Sequence, residues 1–278
     1  MIVSIASGKG GTGKTTIATN LALSIENAQL IDFDVEEPNA NVFLKAKIEE
    51  VEEVEVDIPE IDEEKCDHCG ECSKFCRYNA LAVLPSKVLV FPGLCHSCGG
   101  CKLVCPRDAI SWKKIGIGKI EHGRAGELDF YHGILNIGEI KTIQLLKALK
   151  KKIDRRKEVI LDSPPGTSCP VIETISSSDY CILVTEPTPF GLHDLKLAVD
   201  VVRTIGVPFG VIINRDGVGN EKVEEYCHNE NIPILMKIPH SREIAHLYSE
   251  GIAFATEMDE WRNKFKEMFR RIKEEVGK

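Results

Sequence analysis

Nine residues near the start of the chain, Gly8-Lys9-Gly10-Gly11-Thr12-Gly13-Lys14-Thr15-Thr16, constrain its fold more than any other stretch. An apolar run, residues 2–6, precedes them, and a helical pattern from Thr15 to Ile25 follows. Strand, glycine loop and helix in that order build a phosphate-binding unit. All nine residues are expected to wrap backbone N–H groups around a β-phosphate. Gly10, Gly11 and Gly13 are needed because a Cβ would block that approach. Lys14 is placed to reach the β- and γ-phosphates, and the Thr15 hydroxyl to complete a Mg²⁺ shell. The helix that begins near Lys14 adds its N-terminal dipole.

Further strand patterns cover Ala28–Phe33, Val159–Asp162, Tyr180–Thr185, Phe209–Asn214 and Ile234–Ile238. Helical patterns lie at Ile140–Lys152, Leu192–Ile205, Lys222–Asn229, Ser241–Glu250 and Asp259–Glu275. Strands alternating with helices predict an α/β fold, a parallel sheet with helices on both faces. With 278 residues, 43% of them hydrophobic, the chain can bury a sizeable core. Its net charge of −8 argues against a general nucleic-acid binder, which needs a basic face. The opening Met1-Ile2-Val3-Ser4-Ile5 has no basic n-region, and no run approaches the ~18 apolar residues of a membrane span. A cytoplasmic protein is the expectation, and there eleven cysteines point to metal ligation rather than disulfides.

The alternation breaks between about 45 and 120. Residues 49–64 carry ten Asp or Glu, read as a solvated linker face rather than a docking surface. A Gly- and Lys-rich stretch runs from Trp112 to Gly126. Between them, Cys66, Cys69, Cys72 and Cys76 follow C-x2-C-x2-C-x3-C, and Cys95, Cys98, Cys101 and Cys105 repeat it 29 residues later. This spacing resembles the bacterial-ferredoxin run for two 4Fe-4S clusters. The expected organisation is a discontinuous ATPase domain, 1–57 and 118–278, with a ferredoxin-like α+β insert at 58–117. So small an insert has little core of its own, and metal clusters supply stability. The resemblance implies that the fourth cysteine of each run serves the other cluster. Cys66, Cys69, Cys72 and Cys105 then form one set, and Cys95, Cys98, Cys101 and Cys76 the other. Pro106 follows Cys105 as that pattern expects, whereas Cys76 is followed by Arg77. Zinc sites pair C-x2-C units across longer spacers. His68 and His96 are read as solvent-facing or as hydrogen-bonding to cluster sulfur.

Lys9, the early lysine of the loop, carries a second resemblance. Gly-Lys-Gly-Gly-Thr-Gly-Lys-Thr-Thr is similar to the deviant phosphate loop of the MinD, ParA and nitrogenase iron protein superfamily. The resemblance implies that Lys9 acts in trans on a partner's nucleotide within an ATP-sandwiched homodimer; a plain surface lysine is the alternative. Ile31-Asp32-Phe33-Asp34-Val35-Glu36-Glu37-Pro38-Asn39 looks like its switch I, which makes Asp34 the residue that orients water near Mg²⁺. Ile160-Leu161-Asp162-Ser163-Pro164-Pro165-Gly166 looks like its Walker B strand and switch II, with Asp162 on Mg²⁺. Val211-Ile212-Ile213-Asn214-Arg215 resembles the strand whose asparagine reads adenine, and Ile238-Pro239 the loop that packs on the base. Asn214 as a strand-terminal turn residue is the alternative. Cys181 reads as core, and Cys227 as packed or solvent-facing on a helix. Cys169, seven residues past Asp162, reads as a small loop residue, a reactive metal-handling thiol or a bridging cluster ligand.

The family resemblance predicts an ATP-hydrolysing iron–sulfur protein with ATP, Mg²⁺ and two 4Fe-4S clusters, delivering electrons to an unidentified redox or metalloenzyme partner. The alternative is a metallocluster assembly or insertion factor, and a third reading is MinD-like positioning. Trp261, Phe265, Met268, Phe269 and Ile272 form a C-terminal stripe. It suits a membrane surface or the protein body, and the interspersed glutamates favour the body.

Overall fold

The strand β1 (Ile2–Ala6) sends Val3 and Ile5 into one apolar core and Ala6 into another, the period-two signature of a strand covered on both faces. The computed structural model describes residues 1–277. After β1 come α1 (Lys14–Ser24), β2 (Ala28–Asp32), α2 (Ala40–Leu44) and β3 (Lys47–Ile61). Next are α3 (Glu71–Phe75), β4 (Leu81–Leu84), β5 (Lys87–Val90), α4 (Gly100–Leu103), β6 (Ile110–Ala125) and β7 (Leu128–Leu135). The chain continues through α5 (Thr142–Lys150), β8 (Glu158–Asp162), α6 (Cys169–Ile175), β9 (Tyr180–Thr185) and α7 (Pro189–Ile205). It ends with β10 (Phe209–Asp216), α8 (Lys222–Asn229), β11 (Ile234–Pro239), α9 (Arg242–Ser249), α10 (Phe254–Glu257) and α11 (Asp259–Val276). None of the helices among the described residues is long and apolar enough to cross a membrane.

The chain divides into two compact units. One comprises Met1–Glu52, Ile120–Ile134 and the chain from Leu146 onward; the other comprises Glu53–Lys119 and Leu135–Leu145. The larger sheet has the order β11-β10-β9-β1-β8-β2-β7-β6-β3, with every pair from β11 to β7 parallel, and residues 53–61 of β3 and 110–119 of β6 belong to the second unit. α1, α10 and α11 share the core that holds Val3, Ile5 and Ile160. α6, α7 and α8 share the opposite core with Leu183, Val211 and Ile213. Trp261, Phe265, Met268, Phe269 and Ile272 are all buried in the first of these, so the C-terminal stripe packs on the protein body. Cys181 and Cys227 are both fully buried.

Two stretches read as irregular are strands. Residues 47–61 form β3 and residues 110–125 form β6, which turns through Gly126-Glu127 into β7. Charge and glycine obscured them. In β3, Val51, Val54, Val56 and Ile58 interleave with carboxylates, and β-branched residues favour extended backbone. The acidic side chains suit an edge strand, where they oppose further pairing. Gly123 in β6 is required by close approach: a Cβ there would sit 2.5 Å from the Lys47 carbonyl oxygen.

The second unit repeats one backbone design. Left-handed residues occur at His68, Gly70 and Asn79, and again at Ser97, Gly99 and Asp108, each at the 29-residue offset that relates the cysteine runs. α3 follows Gly70 and α4 follows Gly99. β4 and β5 pair antiparallel. The apolar core of this unit is small, with Ile58, Ala80 and Cys95 buried and Cys76 and Ile115 packed against them.

Candidate functional site

The glycine loop is pinned from both sides. A Cβ at Gly8 would lie 2.1 Å from the Asp194 carbonyl oxygen of α7. Gly13, at φ 96°, caps α1, and a Cβ on it would lie 2.4 Å from Asn214 Nδ2. Asn214 Nδ2 donates to the Thr12 carbonyl at 2.9 Å, and its Oδ1 accepts from Arg215 N at 3.0 Å. The Asn214 amide therefore braces the phosphate loop.

Strand register brings the acidic residues to the loop. Ile5 of β1 and Asp32 of β2 both align with Asp162 of β8, at the carboxyl ends of parallel strands where such sheets bind ligands. Asp162 is buried, with neither carboxylate oxygen in a hydrogen bond. Burial, and then the Asp32 charge, raise its pKa well above the usual carboxylate value, while Thr15 and Lys14 favour the ionised form. Asp32 is fully buried and accepts from the backbone N–H groups of Asp34, Asn39 and Ala40 at 3.0–3.1 Å. Burial pushes its carboxyl up to about 7, against the pull of those N–H groups. Asp34, half-buried, is also raised by desolvation. Lys14 is lowered by burial, with Asp162, Asp34 and Asp32 opposing. An orphaned buried carboxylate beside a threonine hydroxyl is an oxygen donor set that fits Mg²⁺.

Gly10, Gly11, Gly13, Lys14, Thr15, Thr16 and Asp34 line an open cleft, together with Asn214, Arg215 and Pro239. Phe43 and Tyr248, with ring centroids 5.2 Å apart, line it too. Lys9 does not line the cleft. Its ammonium lies 3.8 Å from Glu186, which also accepts from Arg215 Nη1 at 2.6 Å. Asp32, Glu186 and Arg215 were not singled out from sequence. Each is a charged residue at or just past the end of an apolar strand pattern, and that position was the available signal.

In the second unit the eight cysteines fall into two cavities. Cys66, Cys69, Cys72 and Cys105 line one; Cys76, Cys95, Cys98 and Cys101 line the other. Backbone N–H groups point at three sulfurs: Ala80 to Cys76 and Ser97 to Cys95, both 3.4 Å, and Ala109 to Cys105 at 3.3 Å. Burial pushes the Cys101 thiol up to about 11 and raises Cys72. Four thiols around one cavity, with N–H donors to sulfur, fit an iron–sulfur cluster. His68 Nε2 contacts Glu63 at 3.0 Å, and His96 stacks on Tyr78 with centroids 3.7 Å apart. Cys169 is exposed at the start of α6 and belongs to neither cavity.

A strand–glycine loop–helix unit in a parallel sheet, with carboxylates at the strand ends, defines a P-loop nucleotide-binding α/β protein. The CobQ/CobB/MinD/ParA nucleotide-binding domain family matches residues 3–254, and the chain belongs to it, as a P-loop ATPase of MinD/ParA type. It is 33% identical over 266 residues to an uncharacterised protein of Methanocaldococcus jannaschii, covering 91% of each chain. It is 24% identical over 257 residues to the iron-sulfur cluster carrier protein of Pyrococcus abyssi, covering 85% of this chain and 73% of that one. The septum site-determining protein MinD of Pyrococcus horikoshii, solved with Mg-ADP, shares the fold: TM-score 0.60, 19% identity, covering 98% of this chain and 95% of that one.

Proposed function

We propose that the chain is an ATP-hydrolysing iron–sulfur protein, in which a nucleotide-driven switch is coupled to electron transfer through two 4Fe-4S clusters. The carrying observation is that one chain holds a P-loop and eight cysteines gathered four to a cavity. The cysteine-bearing segment, 58–117, is a ferredoxin-like insert in an ATPase domain made of 1–57 and 118–278. When bound, the clusters supply one-electron chemistry. Residues Gly8–Thr16 bind the phosphates through backbone N–H groups. Lys14 neutralises their charge, Thr15 and Asp162 hold Mg²⁺, and Asp34 orients water for attack. Asn214 keeps the loop in shape and, with Pro239, faces the base. Lys9 reaches the nucleotide of a second copy, so the working form is an ATP-dependent homodimer. The partner is a cytoplasmic redox protein or metalloenzyme.

An anaerobic redox titration followed by EPR, with and without Mg²⁺ and a non-hydrolysable ATP analogue, tests this reading. A nucleotide-dependent shift in potential supports it; intact clusters with an unchanged potential sink it. Lys14→Ala is expected to lose hydrolysis, and full hydrolysis in Lys9→Ala would remove the trans role.

A second reading, ATP-dependent cluster assembly or delivery, is favoured by the Pyrococcus abyssi relative named an iron-sulfur cluster carrier and by the exposed Cys169. It predicts transfer of iron and sulfide to an apo-acceptor, with the transfer lost in Cys169→Ser. MinD-like positioning leaves eight grouped cysteines without a role.

A further inference from the structure

We infer that Glu186 is a releasable latch on Lys9, which disfavours self-association of the single copy. This rests on the homodimer reading above and adds its regulation. Glu186 opens the β9–α7 turn as a buried carboxylate, with its side chain 11% exposed. Its backbone is fixed: Thr188 N donates to the Glu186 carbonyl at 2.8 Å, and a Cβ on Gly191 would come within 2.2 Å of that oxygen. The backbone that carries the carboxylate is therefore held in place, and the carboxylate itself lies within reach of Lys9 in the phosphate loop.

Two cations share it on unequal terms. Arg215 donates to Oε1 at 2.6 Å, while Lys9 stands 3.8 Å from Oε2 with its side chain 33% exposed. The Lys9 carbonyl is held separately by the Ser7 hydroxyl at 2.6 Å, so the side chain can swing while the loop backbone stays in place. Departure of Lys9 leaves Glu186 still paired with Arg215, which avoids stranding a buried charge. A tight pair and a loose pair on one carboxylate are suited to giving up the loose one. In the latched state Lys9 is directed at its own chain, outside the nucleotide cleft. A loose, partly exposed ion pair shifts an equilibrium by roughly two- to five-fold, and a symmetric dimer opens two latches, so association shifts by roughly four- to 25-fold.

The test is sedimentation velocity of the anaerobic holoprotein with Mg²⁺ and a non-hydrolysable ATP analogue, over a range of protein concentrations. Wild type, Lys9→Ala, Glu186→Gln and the double variant are compared. The expected result is nucleotide-dependent dimerisation in wild type, weakened by Lys9→Ala. Glu186→Gln should dimerise at roughly four- to 25-fold lower concentration, and the gain should vanish in the Lys9→Ala background. A Glu186→Gln chain that dimerises no better than wild type overturns the latch alone. So does a gain that persists without Lys9, which would mark a structural effect. Absence of nucleotide-dependent dimerisation in wild type, or indifference to Lys9→Ala, sinks the homodimer reading and the latch with it.

Discussion

At the scale of single residues, the nucleotide cleft stores unfavourable burial. Asp162 is a carboxylate with no hydrogen-bond partner, and Lys14 lies buried among Asp162, Asp34 and Asp32. Burying an unpaired charge costs more than burying a neutral amide of the same shape, so Asp162→Asn should keep or raise the denaturation midpoint while Mg²⁺-dependent hydrolysis is lost. Chemical denaturation and phosphate release measured on one preparation check both halves. Gly13→Ala combines a left-handed backbone with a clash on Asn214, and should destabilise by about 1–2 kcal/mol or more. Lys14, Thr15, Asp34 and Asp162 were legible because each lies in or beside a short string with a chemical logic of its own. Asp32 was passed over although it stands two residues before Asp34. Its contact with the site depends on β2 lying next to β8, a pairing across 130 residues that no local string encodes.

Elements carry the next level of argument. α11 was legible as an amphipathic helix, yet its stripe alone did not distinguish a lipid surface from the protein core. The structure buries Phe265 completely, so Phe265→Ala should cost about 3–5 kcal/mol in equilibrium unfolding. The paired cysteine loops make a sharper prediction. Cys76 lines the cavity of Cys95, Cys98 and Cys101, and Cys105 that of Cys66, Cys69 and Cys72. Cys76→Ser and Cys105→Ser should therefore each perturb the EPR signal of the cluster held mainly by the other run. Perturbation of the same-run cluster would refute the crossed assignment. The strands β3 and β6 were hidden for opposite reasons, one by carboxylates on an edge and the other by glycines and lysines. Both extend the sheet through hydrogen bonds that depend on neighbours rather than on composition.

For the whole molecule the question is whether nucleotide and cluster states are linked. Coupling free energies of about 1–3 kcal/mol are typical between sites. For a one-electron couple that corresponds to a potential shift of roughly 40–130 mV. Binding of the ATP analogue with Mg²⁺ should move the cluster potential within that window, and linkage requires reduction to change nucleotide affinity by the matching factor. Isothermal titration of oxidised and reduced protein measures the second half of the cycle. Agreement between the two would establish coupling; a shift in neither would leave the chain as an ATPase and a cysteine-rich insert acting independently.

Sequence by itself determined the chemistry available: a glycine loop that can cradle phosphates, two four-cysteine runs, and an alternation of strands and helices that demands a parallel sheet. Those properties are local, because loop spacing and hydrophobic period fix which groups a short segment presents. Tertiary structure decided which distant groups meet. It set Asp32 beside Asp162, laid Asn214 against Thr12, and turned Lys9 onto Glu186. Each of those meetings follows from strand order, and strand order follows from how the apolar faces pack, which is a property of the chain as a whole.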